Sequence, residues 1–157
     1  MTAREVLARA RAAGVMIAAA ESCTGGMVMA ALTDVPGSSD VVERGFVTYS
    51  NNAKIQMLGV LPATLEAHGA ISPEVAAEMA AGAMLHSQAQ LAVSITGIAG
   101  PGGSEHKPEG RVCFGVAQQG KAVIVEVKDF GALGRAGVRG AARDHALFLL
   151  AAALGQP

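Results

Sequence analysis

Val15-Met16-Ile17-Ala18-Ala19-Ala20, followed at once by Glu21-Ser22-Cys23-Thr24-Gly25-Gly26, is the stretch from which the architecture can be read. Six apolar residues in a row suit a strand covered on both faces rather than one alternating between core and water. The short glycine-rich segment ends that strand, and the residues to about Leu32 read as helix. Strand, turn and helix in this order are the unit from which α/β sheets are built. Upstream, Thr2 and Glu5 make a capping box ahead of Val6, Leu7 and Ala10, with Gly14 as the stop. Downstream, Pro36-Gly37-Ser38-Ser39 marks a loop, Arg44 to Tyr49 a second strand, and Asn51-Asn52 the start of a helix through Leu58, closed by Gly59. A short helix from Pro62 precedes Ser72-Pro73, an N-cap with proline at the first helical position, and Val75, Met79 and Ala83 share one stripe of the helix it opens. Leu91, Val93 and Ile95 alternate with Ala92, Ser94 and Thr96 in a strand that leads into Gly97 to Ser104. Val112 to Ala117 and Lys121 to Lys128 flank Gln118-Gln119-Gly120 as a hairpin, and Val138, Ala142, His145 and Leu149 give a closing helix. No repeat or linker interrupts the order. It predicts one domain over residues 1–157, three-layer α/β/α, with a mixed, mostly parallel sheet. Ligands of such folds collect beyond the strand C-termini. Ser22 to Gly26, Thr48 to Lys54 and Thr96 to Ser104 are expected to meet there.

Composition narrows the function. The chain of 157 residues is 51% hydrophobic and 16% charged, apolar enough to bury a core and to exclude disorder. Lysine and arginine number 12 against 13 acidic residues, for a formal charge of -1, and no basic block is present. With no Trp, 1 Tyr and 4 Phe there is no stacking platform either, which argues against a nucleic-acid partner. The longest apolar runs fall far short of the ~18 residues of a membrane span. Met1 to Glu5 reads as a helix cap rather than the flank of a secretory signal, so a cytoplasmic location is expected. Cys23 and Cys113 fit no disulfide framework or metal spacing. His68, His86, His106 and His145 lack neighbouring histidines or suitably spaced acids, so neither metal nor cofactor is expected.

Thr24-Gly25-Gly26 stands where a helix begins, so free N–H groups there can hold a phosphate or an oxyanion, with Ser22 at the mouth. The plainer alternative makes Thr24 an N-cap and the glycines packing residues. Gly97 to Ser104 carries the same ambiguity and matches neither the Walker nor the dinucleotide pattern. Lys54 is the first lysine of the chain; drawn into a closed site, its amine would lose its proton and serve as base toward a serine. Tyr49, the single tyrosine, either packs in its strand, the slightly favoured reading, or donates a hydrogen bond at the site. A Ser-His-Asp triad finds no Gly-x-Ser-x-Gly elbow, and Cys23 beside Ser22 is expected to be buried and inert.

Three motifs, Ala20 to Gly26, Glu43 to Asn51 and Ser94 to Pro101, resemble the CinA C-terminal domain family in order and wording, and the likeness runs from the first helix to the last. The family includes nicotinamide-nucleotide amidohydrolases, which convert nicotinamide mononucleotide (NMN) to nicotinic acid mononucleotide and ammonia. A chain of 157 residues opening with Met is similar to the stand-alone form. The resemblance implies Ser22 as the catalytic serine, Lys54 as its basic partner, and Tyr49 and Thr96 at the nicotinamide end, and it leaves open an acyl-enzyme on Ser22 or a water activated by the same dyad. It implies backbone N–H groups near Gly25 or Gly97 for the oxyanion, with Gly26 and Gly100 in the same glycine turns. An arginine of the last helix is expected at the phosphate, but the family's Gly-Asp-Arg run is replaced by Leu133-Gly134-Arg135, and Arg135 and Arg139 both remain candidates. The composition suits a homodimer as well as a monomer, and the resemblance favours the dimer. The alternatives to an NMN amidohydrolase are a non-catalytic pyridine-nucleotide or phosphate-binding module and an interaction protein.

Overall fold

The computed structural model describes residues 2–155. Helix α1 (Ala3–Ala13) begins on Thr2, whose hydroxyl accepts from Glu5 N–H while the Glu5 carboxylate answers Thr2 N–H, and it ends at Gly14. Strand β1 (Ile17–Glu21) follows and is buried along its whole length. Then come α2 (Met27–Thr33), β2 (Val42–Val47), α3 (Asn51–Leu58), α4 (Pro62–His68), α5 (Pro73–Leu85), β3 (Leu91–Gly97), the hairpin β4 (Arg111–Gln118) and β5 (Ile124–Asp129), and α6 (Arg135–Leu154). The sheet order is β2-β1-β3-β4-β5. β1 lies parallel between β2 and β3, whereas β4 runs against both β3 and β5. The sheet is therefore mixed, with β4 alone reversed.

Successive residues of β1 serve two cores. Ile17 and Ala19 join Val6, Leu7, Val28, Leu32, Val138 and Leu150 of α1, α2 and α6. Ala18 and Ala20 join Phe46, Leu58, Val75, Met79 and Ala83 on the α3–α5 side. Three alanines in a row thus let helices approach the central strand from both faces, giving the expected three layers. On the second face α3 and α5 meet at Gly82, where a Cβ would stand 2.0 Å from the Leu58 carbonyl oxygen.

Several boundaries differ from the sequence reading. β1 starts at Ile17, and β2 spans Val42–Val47, two residues earlier than expected, because its pairing ends where Val47 meets Glu21, the last residue of β1. Tyr49 is thereby released from the strand. β5 starts at Ile124, since Lys121 N–H closes the hairpin turn on Gln118 O. β3 falls where its alternation places it, with helices on both faces, and the Ser94 and Thr96 hydroxyls donate to Ala76 O and Ala70 O. Along α6, Val138 and Ala142 are buried but His145 and Leu149 only half so, and the stripe continues through Ala146 and Leu150. Among the described residues no helix is long and apolar enough to cross a membrane.

Candidate active site

β1, β2 and β3 end at one edge of the sheet, and the segments that leave them build the site. Ser22, the first residue past β1, donates its N–H to Ile95 O of β3. On the other side Thr48 N–H and Thr48 Oγ1 both bond Glu21 O, at 2.8 and 3.4 Å, tying the β2–α3 connection to the end of β1. Ser50 then caps α3, its hydroxyl accepting from Ala53 N–H. This start places Lys54 on the inward face of α3, where its Nζ lies 3.0 Å from Ser22 Oγ and donates at 3.1 Å to Tyr49 O. The two partners are 32 residues apart in sequence.

Both are withdrawn from water, Lys54 with 1% and Ser22 with 8% of its surface exposed. Burial pushes the Lys54 amine below its ordinary 10.5, against weaker opposing influences of Cys23 and Glu105. Among the described residues no carboxylate comes within ion-pair distance of it to hold the charge. A neutral amine has two N–H bonds and one lone pair. With an N–H engaged by Tyr49 O, the lone pair is free to accept from the Ser22 hydroxyl.

The start of α2 is not the open anion site that Thr24-Gly25-Gly26 suggests. Glu21, wholly buried, turns its carboxylate back onto it: Oε1 accepts from Gly26 N–H (3.1 Å) and Val28 N–H (3.0 Å), and Oε2 from Met29 N–H (3.1 Å). Gly25 N–H closes a turn on Ser22 O. The protein's own anion therefore satisfies this helix end, leaving neither glycine N–H for a ligand. Nor is Thr24 the N-cap. That position is Gly26, and the buried Thr24 hydroxyl has no partner among the described residues. Gly25 (φ +58°) and Gly26 (φ +106°) supply the left-handed backbone that brings the helix start over Glu21.

Gly97 offers a better-placed donor. Ile98 N–H bonds Arg111 O on the β4 side, while Ile95 O takes Ser22 N–H on the β1 side. By the alternation of a strand, the N–H of Gly97 turns to the side of β1, beyond its end and beside Ser22. Gly97 to Ser104, with Cys23, Tyr49, Ile71 and Arg135, lines a cavity of about 320 Å³. Ser22 and Lys54 do not themselves line this cavity; Cys23, the residue after Ser22, and Tyr49, whose carbonyl takes the Lys54 amine, do.

The remaining expected residues separate. Tyr49 is 61% exposed at the rim instead of packed in a strand, and its hydroxyl accepts from Arg135 Nη2 at 3.0 Å. Arg135 also donates to Gly100 O at 2.7 Å, so it stands at the cavity mouth. Arg139, one turn along α6, faces elsewhere: Nε donates to Cys23 O at 3.0 Å and Nη2 to Thr24 O at 3.4 Å. Thr96 is buried with its hydroxyl spent on Ala70 O at 2.8 Å. Gly97 and Gly100 line the cavity; Thr24, Gly25, Gly26, Thr96 and Arg139 do not. Burial raises the Cys23 thiol to about 11, which leaves it protonated at neutral pH. Among the described residues no group of three His, Cys, Asp or Glu side chains is arranged to hold a metal ion. The capping role of Glu21 was not legible in the sequence, because it runs to residues five, seven and eight positions on.

Comparison with known proteins gives the family and the fold. The family model of the CinA C-terminal domain matches residues 1–154. A CinA-like protein of Chlorobium phaeobacteroides is 56% identical over 120 residues, covering 74% of this chain but 29% of the relative. The chain thus spans under a third of the length of such relatives. The nicotinamide-nucleotide amidohydrolase PncC of Escherichia coli is 57% identical over 108 residues, covering 68% of this chain and 66% of that protein. Among solved structures, the competence/damage inducible protein CihA from Agrobacterium tumefaciens superposes with a TM-score of 0.93 at 46% identity, covering 98% of this chain and 93% of that one. A CinA superfamily protein from Escherichia coli gives 0.89 at 35% identity, covering 94% and 88%.

Proposed function

The chain belongs to the CinA C-terminal domain family, and from that membership and the buried Ser22–Lys54 contact we propose that it is a nicotinamide-nucleotide amidohydrolase. In this reading it hydrolyses the carboxamide of NMN to nicotinic acid mononucleotide and ammonia. The likeness to PncC supports the substrate class, and the 3.0 Å contact between two sequestered side chains carries the mechanism. Ser22 Oγ attacks the carboxamide carbon and passes its proton to neutral Lys54. Lys54 then gives that proton to the amide nitrogen, the C–N bond breaks and ammonia leaves. Water attacks the resulting ester, yields its proton to Lys54, and Ser22 recovers it as the acid departs. In the resting site the Lys54 amine is already engaged by Ser22 Oγ and Tyr49 O, which favours the serine over a lysine-activated water as first nucleophile.

The Gly97 N–H serves the oxyanion, a contact whose loss costs ~3 kcal/mol of barrier in comparable sites. Arg135, exposed at the mouth, meets the phosphate, and Tyr49 lies between it and the reacting end. Ammonia release from NMN, with and without a chelator, tests the proposal. Wild type is expected to release ammonia equally in both. Ser22→Ala and Lys54→Ala, folded by circular dichroism, are expected to release none. Full activity in either variant overturns the dyad, and none in wild type overturns the substrate.

A further inference from the structure

Two arginines one turn apart on α6 do different work. Arg135 stands at the cavity mouth, whereas Arg139 is half-buried and forks its Nε–Nη2 edge onto the main chain, at 3.0 Å to Cys23 O and 3.4 Å to Thr24 O. These carbonyls belong to the turn that presents Ser22. The turn is closed by Gly25 N–H on Ser22 O at 3.1 Å. A bond of that kind holds the ends of a four-residue turn but not its central peptide, here Cys23–Thr24, whose rotation is what separates type I from type II turns. Arg139 Nε bonds the carbonyl of that very peptide. A methyl on Gly25 would stand 3.3 Å from Arg139 Nη2, so the guanidinium lies close against the turn as well as bonded to it. On the opposite side the Glu21 carboxylate gathers the N–H groups of Gly26, Val28 and Met29. The segment from Ser22 to Met29 is therefore held between a cation on its carbonyls and an anion on its amides, and these two side chains make no ion pair with each other.

We propose that Arg139 is a positioning residue: by locking the Cys23–Thr24 peptide it aims Ser22 Oγ at the carboxamide, and it takes no part in holding the phosphate. The inference rests on the hydrolysis proposed above. Its consequence is a division of labour along one helix, with Arg135 governing substrate binding and Arg139 governing turnover.

The test uses the full chain with Arg139→Ala, Arg139→Lys and Arg135→Ala. Two quantities are read: kcat and KM for ammonia release from NMN, and the rate at which a fluorophosphonate probe labels Ser22, which needs no pyridine nucleotide. Arg139→Ala is expected to lose about a hundredfold in kcat with KM within about twofold, and to lose labelling rate in the same proportion. Arg139→Lys keeps the charge but lacks the rigid planar fork of the guanidinium, so it recovers only part of the loss. Millimolar guanidinium added to Arg139→Ala restores turnover by refilling the site. Arg135→Ala shows the opposite split, its larger effect falling on KM rather than on kcat. The proposal is overturned if Arg139→Ala raises KM while kcat stands, or if kcat and labelling are both unchanged. Should Arg139→Ala fail to fold, Arg139→Lys decides, and wild-type kcat and labelling in it refute the role. If wild type labels at Ser22 yet releases no ammonia from NMN, the substrate reading fails, and the labelling ratio still decides the role of Arg139.

Discussion

A single methyl at Gly82, remote from the cavity, tests whether the packing of α3 on α5 sets the proposed dyad. The new Cβ would lie 2.0 Å from Leu58 O and 2.9 Å from Leu58 C, against about 3.3 Å for a close carbon–oxygen contact. The obstacle is main chain and cannot swing aside, so α3 has to retreat by roughly 1.3 Å. The end of α3 cannot yield alone. Gly59 N–H is bonded to Ile55 O and Val60 N–H to Lys54 O at 3.2 Å, so a displacement at Leu58 is passed to the residue that carries the amine. The Lys54–Ser22 contact begins at 3.0 Å, and a shift of this size takes it beyond ~3.6 Å, where no hydrogen bond remains. Turnover in Gly82→Ala should fall about a hundredfold, near 2.7 kcal/mol of barrier. Stability should suffer less: overpacking costs ~1–3 kcal/mol, and replacing a helical glycine by alanine returns ~1 kcal/mol. A net loss of about 1 kcal/mol lowers Tm by roughly 2–4 °C in a chain of this length. Steady-state ammonia release and a thermal melt on the same preparation give both numbers. A lowered Tm with kcat intact would refute the transmission from α3 to the dyad, and no change in either would refute the steric argument itself.

Lys54→Met reads the buried amine through stability. The unfolded chain holds a proton that folded Lys54 has lost between its lowered value and 10.5, so wild-type stability gains on the variant as pH rises across that window. The gain is at most ~1.4 kcal/mol per pH unit, or roughly 3–6 °C in Tm, and a pH-independent difference would contradict it. Turnover in wild type should rise with pH as the amine loses that proton, and a pH–rate profile checks this. Glu21→Gln replaces a carboxylate that accepts from three N–H groups by an amide with one acceptor, at a cost of ~2–3 kcal/mol in a urea titration. Arg135→Ala should raise KM for NMN about 10–100-fold, the worth of one charge-assisted contact, while turnover of nicotinamide riboside, which has no phosphate, is unaffected.

What could be read from the sequence is what depends on neighbours along the chain. The run from Val15 to Ala20 admits little but a doubly covered strand, and Thr2 and Ser72 announce their helices through caps that reach three residues on. The end of β2 was not readable in this way. Phe46 to Tyr49 looks like continuous strand, but what stops it is the last residue of β1, 26 positions before Val47, and pairing of that kind leaves no local signal. The buried hydroxyls of β3 escaped for a related reason. Nothing near Ser94 and Thr96 in the sequence names their acceptors, Ala76 O and Ala70 O, which α5 and the segment before it bring against them.

The site divides along the same line. Ser22 at its glycine turn and Lys54 as the first lysine stand out singly in the sequence, but only the motif resemblance pairs them, because no spacing rule joins residues on separate elements. A glycine turn at a helix start suggests an anion cradle, and an anion is there, but it belongs to the chain. Only the left-handed backbone of Gly25 and Gly26 folds α2 back over Glu21. Arg135 and Arg139 are likewise equivalent in sequence, four residues apart on one helix face. They part because α6 begins at Arg135, which leaves the first guanidinium at Gly100 and Tyr49 and sets the second over the Ser22 turn. Four residues of helix, a rise of about 6 Å, thus set the spacing between the residue of the proposed anion contact and the one that supports the proposed nucleophile. A displacement of α6 as a whole must therefore change KM and kcat together, whereas truncation of either arginine changes one of them.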